Sequence, residues 1–438
     1  MNRSATAKRP PRIPRSHIAS RRPDSLWVLG WLTTATLLPW AGVSQEALQN
    51  LKNLDSGREQ RRQQMAAADY AYKQGDFRLF ATPSLGLDWN DNVRTSEHNK
   101  ESDVILRPML QLGVSYPLTQ VNLLTVNLGV GYDKYIDNDD LSTWRINSGS
   151  ELSFDIFVKD FTINLHDRIS YQIDSSQEAA VANTADYGNF DNAVGVTASW
   201  LLRKATLTAG YDHLNQVSIE TTFDSQDHTT EMFFGQASFG VHPQVQAGFE
   251  GTASFTSYYE PTLNDNANYS AGLFAVWQPG AALRVSPRGG YTIMQFESSS
   301  TSIRTEDINT YYLDLTVTHD ATEAFSYGFS VGHDLRGGVE ADAIEQSYFR
   351  PTLTWRAFKH AAINFGLSYE RGEQGVGNRI GGLEEKYDWY SATIGTSWSI
   401  LTNLRLGLNY RLTLRESDQP NRGYDQNVIG LLLTYYPR

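Results

Sequence analysis

The stretch from Leu404 to Arg415, LRLGLNYRLTLR, alternates strictly between apolar and polar residues. In an α-helix its leucines would scatter around the whole axis among the arginines, whereas in a β-strand they all point to one face. The alternation therefore predicts a strand. Fully extended, it would run about 40 Å, and a tilt of about 40° reduces this to roughly the thickness of the hydrocarbon layer of a bilayer.

The same alternation recurs along the chain. From Leu124 to Tyr132, every even position is Leu, Val or Tyr, and Thr, Asn or Gly stands between them. From Val245 to Phe255 an apolar set again alternates with a polar or small set. The recurrence predicts a sheet with one face in an apolar environment and the other face in water.

Length and composition exclude several other architectures. The chain has 438 residues, a formal net charge of −12 and no Cys, which excludes disulfide frameworks and zinc-finger-type sites. After residue 45 there is no run of about 20 apolar residues, and the mean hydropathy is −0.42, so helical membrane spans are excluded. A transmembrane β-barrel escapes this test, because only alternate residues of each strand meet lipid. One closed barrel also suits a chain too long for most single soluble cores.

Residues 1–44 are predicted to be a secretory signal peptide. An arginine-rich front precedes an apolar run from Leu26 to Trp40 and then small residues, with cleavage expected after Ser44. An uncleaved anchor helix is the alternative, but the apolar run is short and contains Pro39. Export from the cytoplasm is therefore expected.

Residues 45–76 are predicted to be a periplasmic lead-in to the barrel. Before Met65 their only clear apolar positions are Leu48, Leu51 and Leu54. Such a thin stripe buries little surface, so a short helix and a disordered segment are both open alternatives.

From residue 77 to residue 438 the pattern predicts one barrel of about 18 antiparallel strands. Short joins alternate with long polar ones, which is typical of outer-membrane barrels with periplasmic short turns and extracellular long loops. An even number of strands then leaves both termini in the periplasm. The predicted strands are 77–90, 103–117, 122–136, 143–158, 161–174, 190–203, 205–219, 229–242, 245–259, 268–278, 282–297, 309–320, 324–336, 346–358, 361–372, 386–400, 403–416 and 426–436.

Aromatic residues gather near the predicted strand ends, as the interface belts of a membrane barrel require. Near the long loops they are Trp89, Tyr135, Trp144, Tyr259, Tyr311 and Tyr390. Near the short turns they are Tyr116, Phe161, Tyr327, Trp355, Trp398 and Tyr435. Two belts at matching strand ends favour a membrane barrel over an ordinary soluble core.

A barrel of about 18 strands is too wide for its own side chains to fill, so it holds an aqueous channel or something that plugs it. The lead-in or an inward-folded long loop could narrow it. Arginines dominate the polar face in the last third of the chain and acids in the middle third, which would set a transverse field across the pore. The alternative is that these charges pair across neighbouring strands. The pore-lining candidates are Arg284, Arg288, Arg350, Arg356, Arg405, Arg411, Arg415, Glu250, Asp314, Glu370, Tyr312, Tyr348, Tyr387 and Trp389.

Residues 82–135 resemble the family of outer-membrane proteins known as β-barrel porin 2. The resemblance rests on PSLGLDWNDNV (Pro83 to Val93), SDVILRPMLQLGVSY (Ser102 to Tyr116) and LGVGYDKY (Leu128 to Tyr135). Family members often form the outer-membrane pore of exopolysaccharide secretion systems. The resemblance therefore implies glycan export or the passage of polar solutes.

Two other chemistries have candidate residues in this sequence. Asp88, Asp91 and the acidic run 137–140 could bind a cation at the outer rim, but they lack EF-hand spacing and solvated carboxylates are the preferred interpretation. His166 and Ser170 are the nearest approach to a hydrolase site, yet along one strand they would stand about 13 Å apart. We therefore predict no enzyme, no metal and no cofactor; no nucleotide-binding or haem-attachment motif is found.

Asp167 contradicts the pattern, because it falls on the lipid-facing side between Leu165 and Ile169. A carboxylate there costs a few kcal/mol near the bilayer midplane. A bulge in the strand and a subunit contact are the two explanations left open.

The sequence thus predicts an outer-membrane pore, with exopolysaccharide export as the main hypothesis. A general diffusion porin and a closed structural or docking barrel are the alternatives. Inward-facing aromatics such as Tyr387 and Trp389 would stack on sugar rings, and Arg405, Arg411 and Arg415 would bind their carboxylates or hydroxyls. Expected partners are outer-membrane lipid and lipopolysaccharide, the barrel-insertion machinery and, for export, a periplasmic polysaccharide-export protein; nucleic acid is not expected.

Overall fold

The structure, a computed structural model, describes residues 70–119, 121–173, 175–297, 306–358, 360–375 and 384–437. It is all β apart from short 3₁₀ turns at Asp139–Leu141, Ser175–Gln177 and Thr221–Gln226, and no helix in these ranges is long and apolar enough to cross a membrane. The strands are β1 (Tyr72–Gln74), β2 (Phe77–Asn90), β3 (Asp103–Pro117), β4 (Leu123–Tyr135), β5 (Thr143–Val158), β6 (Phe161–Ile173), β7 (Gly188–Leu201), β8 (Ala205–Ser218), β9 (His228–His242), β10 (Val245–Tyr258), β11 (Asp265–Trp277), β12 (Leu283–Glu297), β13 (Ile308–His319), β14 (Phe325–Gly337), β15 (Ala343–Phe358), β16 (Ala361–Gln374), β17 (Glu385–Leu401), β18 (Leu404–Ser417) and β19 (Tyr424–Tyr435).

Strands β2 to β19 form one closed barrel of 18 antiparallel strands. Each strand pairs with its neighbours in sequence, and β19 closes the ring on β2 from Val428↔Asn90 to Thr434↔Ser84. Closure gives every strand of the ring a hydrogen-bonded neighbour on both sides, which is what a sheet in hydrocarbon requires. The predicted fold class is confirmed, and the observed strand ends lie within about three residues of the predicted ones.

The end of the predicted lead-in differs from expectation. Tyr72–Gln74 form neither helix nor disordered chain but β1, which pairs with the start of β2 through Tyr72↔Leu79 and Gln74↔Phe77. In this hairpin β1 pairs with Phe77–Leu79, whereas the ladder of β2 with β19 begins at Ser84. The predicted signal peptide and residues 45–69 lie outside the described residues.

The direction in which each side chain points follows the predicted alternation. On β18 the side chains of Leu408, Tyr410 and Leu414 are exposed on the outer surface, whereas Thr413 and Arg415 are buried on the inner one. Since the outer residues form an apolar surface and the inner ones a polar wall, the strand pattern is that of a barrel in lipid with a hydrated interior.

Outward aromatics mark both ends of the barrel, with one exception. Trp89, Trp144 and Tyr259 are exposed at the long-loop end, and Tyr327 and Trp398 at the short-turn end. Tyr135 was predicted to join the first belt, but it packs instead against the buried cluster of Val93, Leu141 and Ala185. It is the last residue of β4, where the adjoining loops turn over the barrel mouth and cover it.

Asp167 remains on the outer surface, because the irregularity of the β5–β6 ladder lies beyond it, between Ile146 and Ser150. It pairs in regular register with Leu152 of β5 and Val194 of β7. Its Oδ1 accepts a hydrogen bond of 2.7 Å from Nδ2 of Asn192. The neighbouring strand therefore supplies a donor to the carboxylate, which lowers the cost of its position but leaves it half-exposed.

Strands β13 and β14 separate towards the long-loop end. They pair only from His319↔Tyr327 up to Leu313↔His333. A buried apolar cluster lies on β12 to β15 at this end of the barrel, and its members are Met294, Phe296, Ile308, Leu335 and Ala343.

Candidate pore and its constriction

Ion pairs between arginines and carboxylates follow the inner wall. Arg350 Nη2 donates to Glu370 Oε2 on the adjacent strand at 3.1 Å, and Arg288 Nη1 lies 2.8 Å from Glu250 Oε2, two strands away. Of the two alternatives left by the sequence, cross-strand pairing describes these residues. The same arrangement is found at Arg107–Asp88 (2.6 Å), Arg145–Asp133 (2.8 Å), Arg168–Asp212 (2.7 Å) and Arg415–Glu385 (2.7 Å).

Large inward-facing aromatic rings lie flat against this wall, because each ring rests on a glycine of a nearby strand. A methyl group on Gly372 would overlap the ring of Tyr387, and one on Gly332 would overlap that of Tyr348. Only glycine leaves room for such a close approach. The same relation holds for Phe234 on Gly210, Phe274 on Gly248, and Tyr312 on Gly272 and Gly290.

The flat rings support arginine side chains. The guanidinium carbon of Arg350 lies 4.2 Å from the centre of the Tyr348 ring, and that of Arg415 lies 4.7 Å from the centre of Tyr387. Cation–π attraction favours these positions. The hydroxyls of the same rings hold nearby acids: Tyr312 donates to Glu250 (2.8 Å), Tyr348 to Asp314 (2.7 Å) and Tyr387 to Glu370 (3.1 Å).

These tyrosines and Trp389 are nevertheless buried. The side chains of Tyr387 and Trp389 are only 1% and 2% exposed. Tyr387 and Trp389 face the interior rather than the rims, and the loop that contains Ala179 covers them. Their predicted stacking on sugar rings stays a prediction, and it requires that cover to move.

The covering segment is the loop between β6 and β7, residues 175–187, which crosses the barrel interior. Arg336 Nη2 on β14 donates to Glu178 Oε1 at 2.5 Å, and Gln374 Nε2 on β16 donates to the Ala180 carbonyl at 2.9 Å. Arg415 Nε on β18 donates to the Ala179 carbonyl at 2.8 Å. Because β14 to β18 lie across the ring from β6 and β7, this loop narrows the lumen.

The crossing loop carries a small apolar core into the barrel. Ala179, Ala180 and Val181 are buried, together with side chains from other loops and from the wall. The remaining members of this cluster are Tyr187, Phe223, Val339, Ile344, Tyr387 and Trp389. Burial of this apolar surface stabilises the inward position of the loop.

Charged residues at the long-loop end of the barrel hold the crossing loop, residues 175–187, in place. Arg422, between β18 and β19, places Nε 2.9 Å from Glu385 Oε2 and Nη2 2.5 Å from Glu340 Oε2, and it donates to the Ala180 carbonyl at 2.8 Å. Burial lowers the pKa of the Arg422 guanidinium, but contact with Glu385 and the charge of Glu340 raise it, and the net direction is upward. Arg422 therefore stays charged throughout the physiological pH range.

Arginines near the short-turn end have a different environment. Arg284 Nε donates to Ser286 Oγ at 3.4 Å, Arg356 Nη1 to the Glu323 carbonyl at 2.9 Å, and Arg405 Nη1 to the Tyr436 hydroxyl at 3.4 Å. Within the described part of the chain, none of the three has a carboxylate within ion-pair distance.

Two further arginines belong to this region of the inner wall. Arg78 on β2 faces inward near the same end, and Arg411 faces inward at the middle of β18. Together with Arg284, Arg356 and Arg405 they lie on β2, β12, β15 and β18, so positive charge covers one arc of the wall.

Sequence reasoning assigned Arg284, Arg356, Arg405 and Arg411 to the inner wall but missed several residues of the constriction. Glu178 and Arg422 lie in loops, where no alternation reveals direction. The apolar run from Ala179 to Ala182 in an otherwise polar loop was the available signal, since an exposed loop does not need it.

The possible hydrolase residues do not form a catalytic set. His166 Nε2 lies 3.1 Å from Asp212 Oδ1, and its Nδ1 lies 2.9 Å from Asn164 Oδ1. Ser170 Oγ donates instead to Asp191 Oδ2 at 3.1 Å. A nucleophile needs a base within hydrogen-bond reach, and His166 is engaged elsewhere.

The acidic residues of the outer rim have partners within the chain. Asp91 accepts hydrogen bonds from the backbone and the side chain of Asn427, at 2.6 and 2.7 Å. Asp140 pairs with Arg94 at 3.1 Å, and Asp139 pairs with Lys134. No group of three or more potential ligands in the described ranges is placed to hold a metal ion.

The sequence matches no family model and no curated protein. Membership of the β-barrel porin 2 family, suggested by the resemblance in residues 82–135, therefore stays a prediction. The expected partners of the barrel are likewise untested.

Solved structures of proteins from Pseudomonas aeruginosa match the fold. OccK2 (OpdF) of Pseudomonas aeruginosa aligns with 82% of this chain and 98% of its own, at 9% identity and a TM-score of 0.50. OccK2 in complex with glucuronate matches at 10% identity over 82% and 98% of the two chains, with a TM-score of 0.49. OpdQ of the same organism matches at 9% identity over 83% and 100%, with a TM-score of 0.48.

At this identity the likeness shows the fold alone. The chain is an all-β, closed barrel of 18 antiparallel strands, and its apolar outer surface and polar inner wall are those of an outer-membrane barrel.

Proposed function

We propose that this barrel is a channel through which small anionic solutes cross the outer membrane. The supporting observation is that Arg284, Arg356 and Arg405 lie on the inner wall near the short-turn end without a carboxylate partner in the described residues. A guanidinium on a hydrated wall attracts anions and binds carboxylates through paired N–H groups. The positive charge that would attract the anion lies along one arc of the wall near the short-turn end.

The proposed path has two stages. At the long-loop end a solute meets the crossing loop and arginines whose charges are already paired, as in Arg336–Glu178 and Arg415–Glu385. Further down it meets the arc of arginines that includes Arg284 and Arg356. Polar groups that hold a solute weakly at several sites allow it to enter and also to leave.

The constriction favours small solutes over a polymer. The loop that carries Glu178 and Ala180 spans the interior and packs against the opposite wall. A polysaccharide chain needs a continuous opening while it is being threaded, so export would require this packed segment to be withdrawn. The export hypothesis has no observation in its favour beyond the sequence resemblance.

Ion selectivity in planar bilayers tests the proposal. Replacing Arg284, Arg356 and Arg405 together by Gln should lower the chloride-to-potassium permeability ratio by about tenfold, because local anion accumulation is lost. The matched control replaces Lys159, Arg203 and Lys204 by Gln, which removes the same charge from turns outside the lumen. The control should retain the wild-type ratio.

Two results would overturn the proposal. If both triple variants change the ratio equally, the arginines act only through net charge. If the wild-type protein carries no current in any state, the barrel is the closed structural or docking barrel of the second alternative.

Liposome swelling measures the preference for anions directly. Swelling rates are compared in gluconate and in glucose, two solutes of similar size.

A further inference from the structure

The outer surface carries an apolar groove across β15 to β18. It has a volume of about 210 Å³ and is lined almost entirely by apolar atoms. Ala392 forms its floor, because the small methyl group stands in register between Leu367 of β16 and Leu412 of β18. Phe349 and Pro351 on β15 form one side. All five side chains are on the alternation that faces lipid.

Two tyrosines close the groove towards the long-loop end. The rings of Tyr369 and Tyr390 are neighbours, with centres 5.1 Å apart. The hydroxyl of Tyr369 donates to Asp388 Oδ1 at 2.7 Å. Tyrosines with an apolar body and a hydrogen-bonded tip mark the level at which hydrocarbon gives way to head groups.

The next outward row above the tyrosines is charged. Arg371, Asp388 and Glu416 lie in register on β16, β17 and β18. The carboxylate of Asp388 accepts a hydrogen bond from the Tyr369 hydroxyl. In the next outward-facing row, Lys386 Nζ lies 3.0 Å from Glu373 Oε2. Arg371 is exposed on the outside of the barrel, and among the described residues no carboxylate lies within ion-pair distance of it.

A cation without a carboxylate directly above an apolar groove matches a lipid with an anionic head and acyl chains. The guanidinium group binds phosphate oxygens through paired N–H groups. The groove lies in the half of the wall nearer the long loops, which faces the outer leaflet in barrels of this class. The outer leaflet of this membrane consists largely of lipopolysaccharide, whose lipid A moiety is phosphorylated and carries several acyl chains.

We propose that this surface is a binding site for one lipid A moiety, with an acyl chain in the groove over Ala392 and a phosphate on Arg371. The site lies outside the barrel, so it does not rest on the solute proposed above. Binding on one arc of the wall would fix the orientation of lipopolysaccharide around the channel.

Native mass spectrometry of the full chain in detergent tests this site. Ala392→Leu fills the groove with a side chain that resembles its neighbours, and Arg371→Gln removes the cation. We expect lipid A with its phosphates to bind about tenfold more weakly to each variant. The controls are Ala198→Leu, an outward alanine on β7, and Arg94→Gln, a loop arginine paired with Glu101, and both should bind lipid A as the wild type does.

Lipid A without phosphates separates the two contacts. It should bind the wild type and Arg371→Gln equally, and it should still distinguish Ala392→Leu. Undiminished binding of lipid A to Ala392→Leu would overturn the groove assignment, and equal binding of lipid A and phosphatidylglycerol to the wild type would overturn the assignment to lipid A. Binding of lipid A with and without its phosphates can be compared on the wild-type chain alone. The proposal can therefore be refuted even if a variant fails to fold.

Discussion

At the scale of single residues, the environment on each side of the barrel wall determines which side chains are tolerated at a position. Leu408 and Asn409 are neighbours in β18 and differ only in direction. Leu408 is 43% exposed on the outer surface, which means that it faces lipid, whereas Asn409 lies on the inner face. The same substitution at these two positions therefore tests the alternation directly.

Leu408→Arg should lower the free energy of unfolding from lipid by about 2–4 kcal/mol, because the charge enters hydrocarbon. Asn409→Arg should change it by less than about 1 kcal/mol, because the side chain enters the hydrated interior. Urea titration of folding into lipid vesicles measures both variants. Equal losses would mean that the assigned faces are wrong.

Asp167 places a carboxylate on the lipid-facing surface, which is an unfavourable position for a charged group. Since its carboxylate faces lipid and accepts a hydrogen bond from Asn192, Asp167→Leu should raise the free energy of unfolding from lipid by about 1 kcal/mol. The same vesicle titration provides the measurement. A matched change on the inner face, Asp155→Leu, should destabilise the barrel instead, because Asn164 donates to Asp155 there at 2.9 Å.

At the scale of elements, the loop from residue 175 to residue 187 crosses the lumen and contacts the opposite wall. Its inward position depends on Glu178, on hydrogen bonds to its carbonyls and on a buried apolar run. Breaking a buried ion pair from one side leaves an uncompensated charge, which costs about 3–5 kcal/mol. The loop is therefore sensitive to a change that leaves the wall intact.

Glu178→Gln should increase single-channel conductance or the frequency of open events, because Arg336 loses its closest anionic partner and the loop is released. Glu260→Gln is the control, since this carboxylate lies in the loop between β10 and β11 and forms none of these contacts. Single-channel recording compares the two variants with the wild type. A Glu178→Gln trace identical to that of the wild type would show that the apolar core alone holds the loop.

At the scale of the whole molecule, closure of β19 on β2 is the property on which the rest depends. Ser84 and Thr434 are register partners across that closure and lie on the inner face. Cβ atoms of directly opposed residues on antiparallel strands are about 4.5–5.5 Å apart. The chain contains no Cys, so introduced thiols are the only ones present.

The double variant Ser84→Cys, Thr434→Cys should therefore crosslink with a short bifunctional thiol reagent and run as a circular species on a denaturing gel. Ser84→Cys combined with Ser399→Cys, which lies two strands further round on β17, is the control and should crosslink poorly. Efficient crosslinking of the control pair, or none of the first, would contradict the observed closure.

The sequence determined what depends on local solvent exposure: the number of strands, their ends and the direction of Leu408 or Arg405, because each follows from alternation along a strand. It also assigned arginines and acids to the inner wall. It did not determine which of them meet. Arg288 reaches Glu250 two strands away, and this depends on the tilt and register of the whole ring.

Only the tertiary structure revealed the constriction. A loop has no periodic pattern, and the contacts of Glu178 with Arg336 and of the Ala180 carbonyl with Gln374 join segments far apart in the chain. The chain reaches these positions because closing the barrel brings the opposite wall within reach of the loop. Alternation records the environment of each residue along a strand, but the width of the pore is a property of the closed ring.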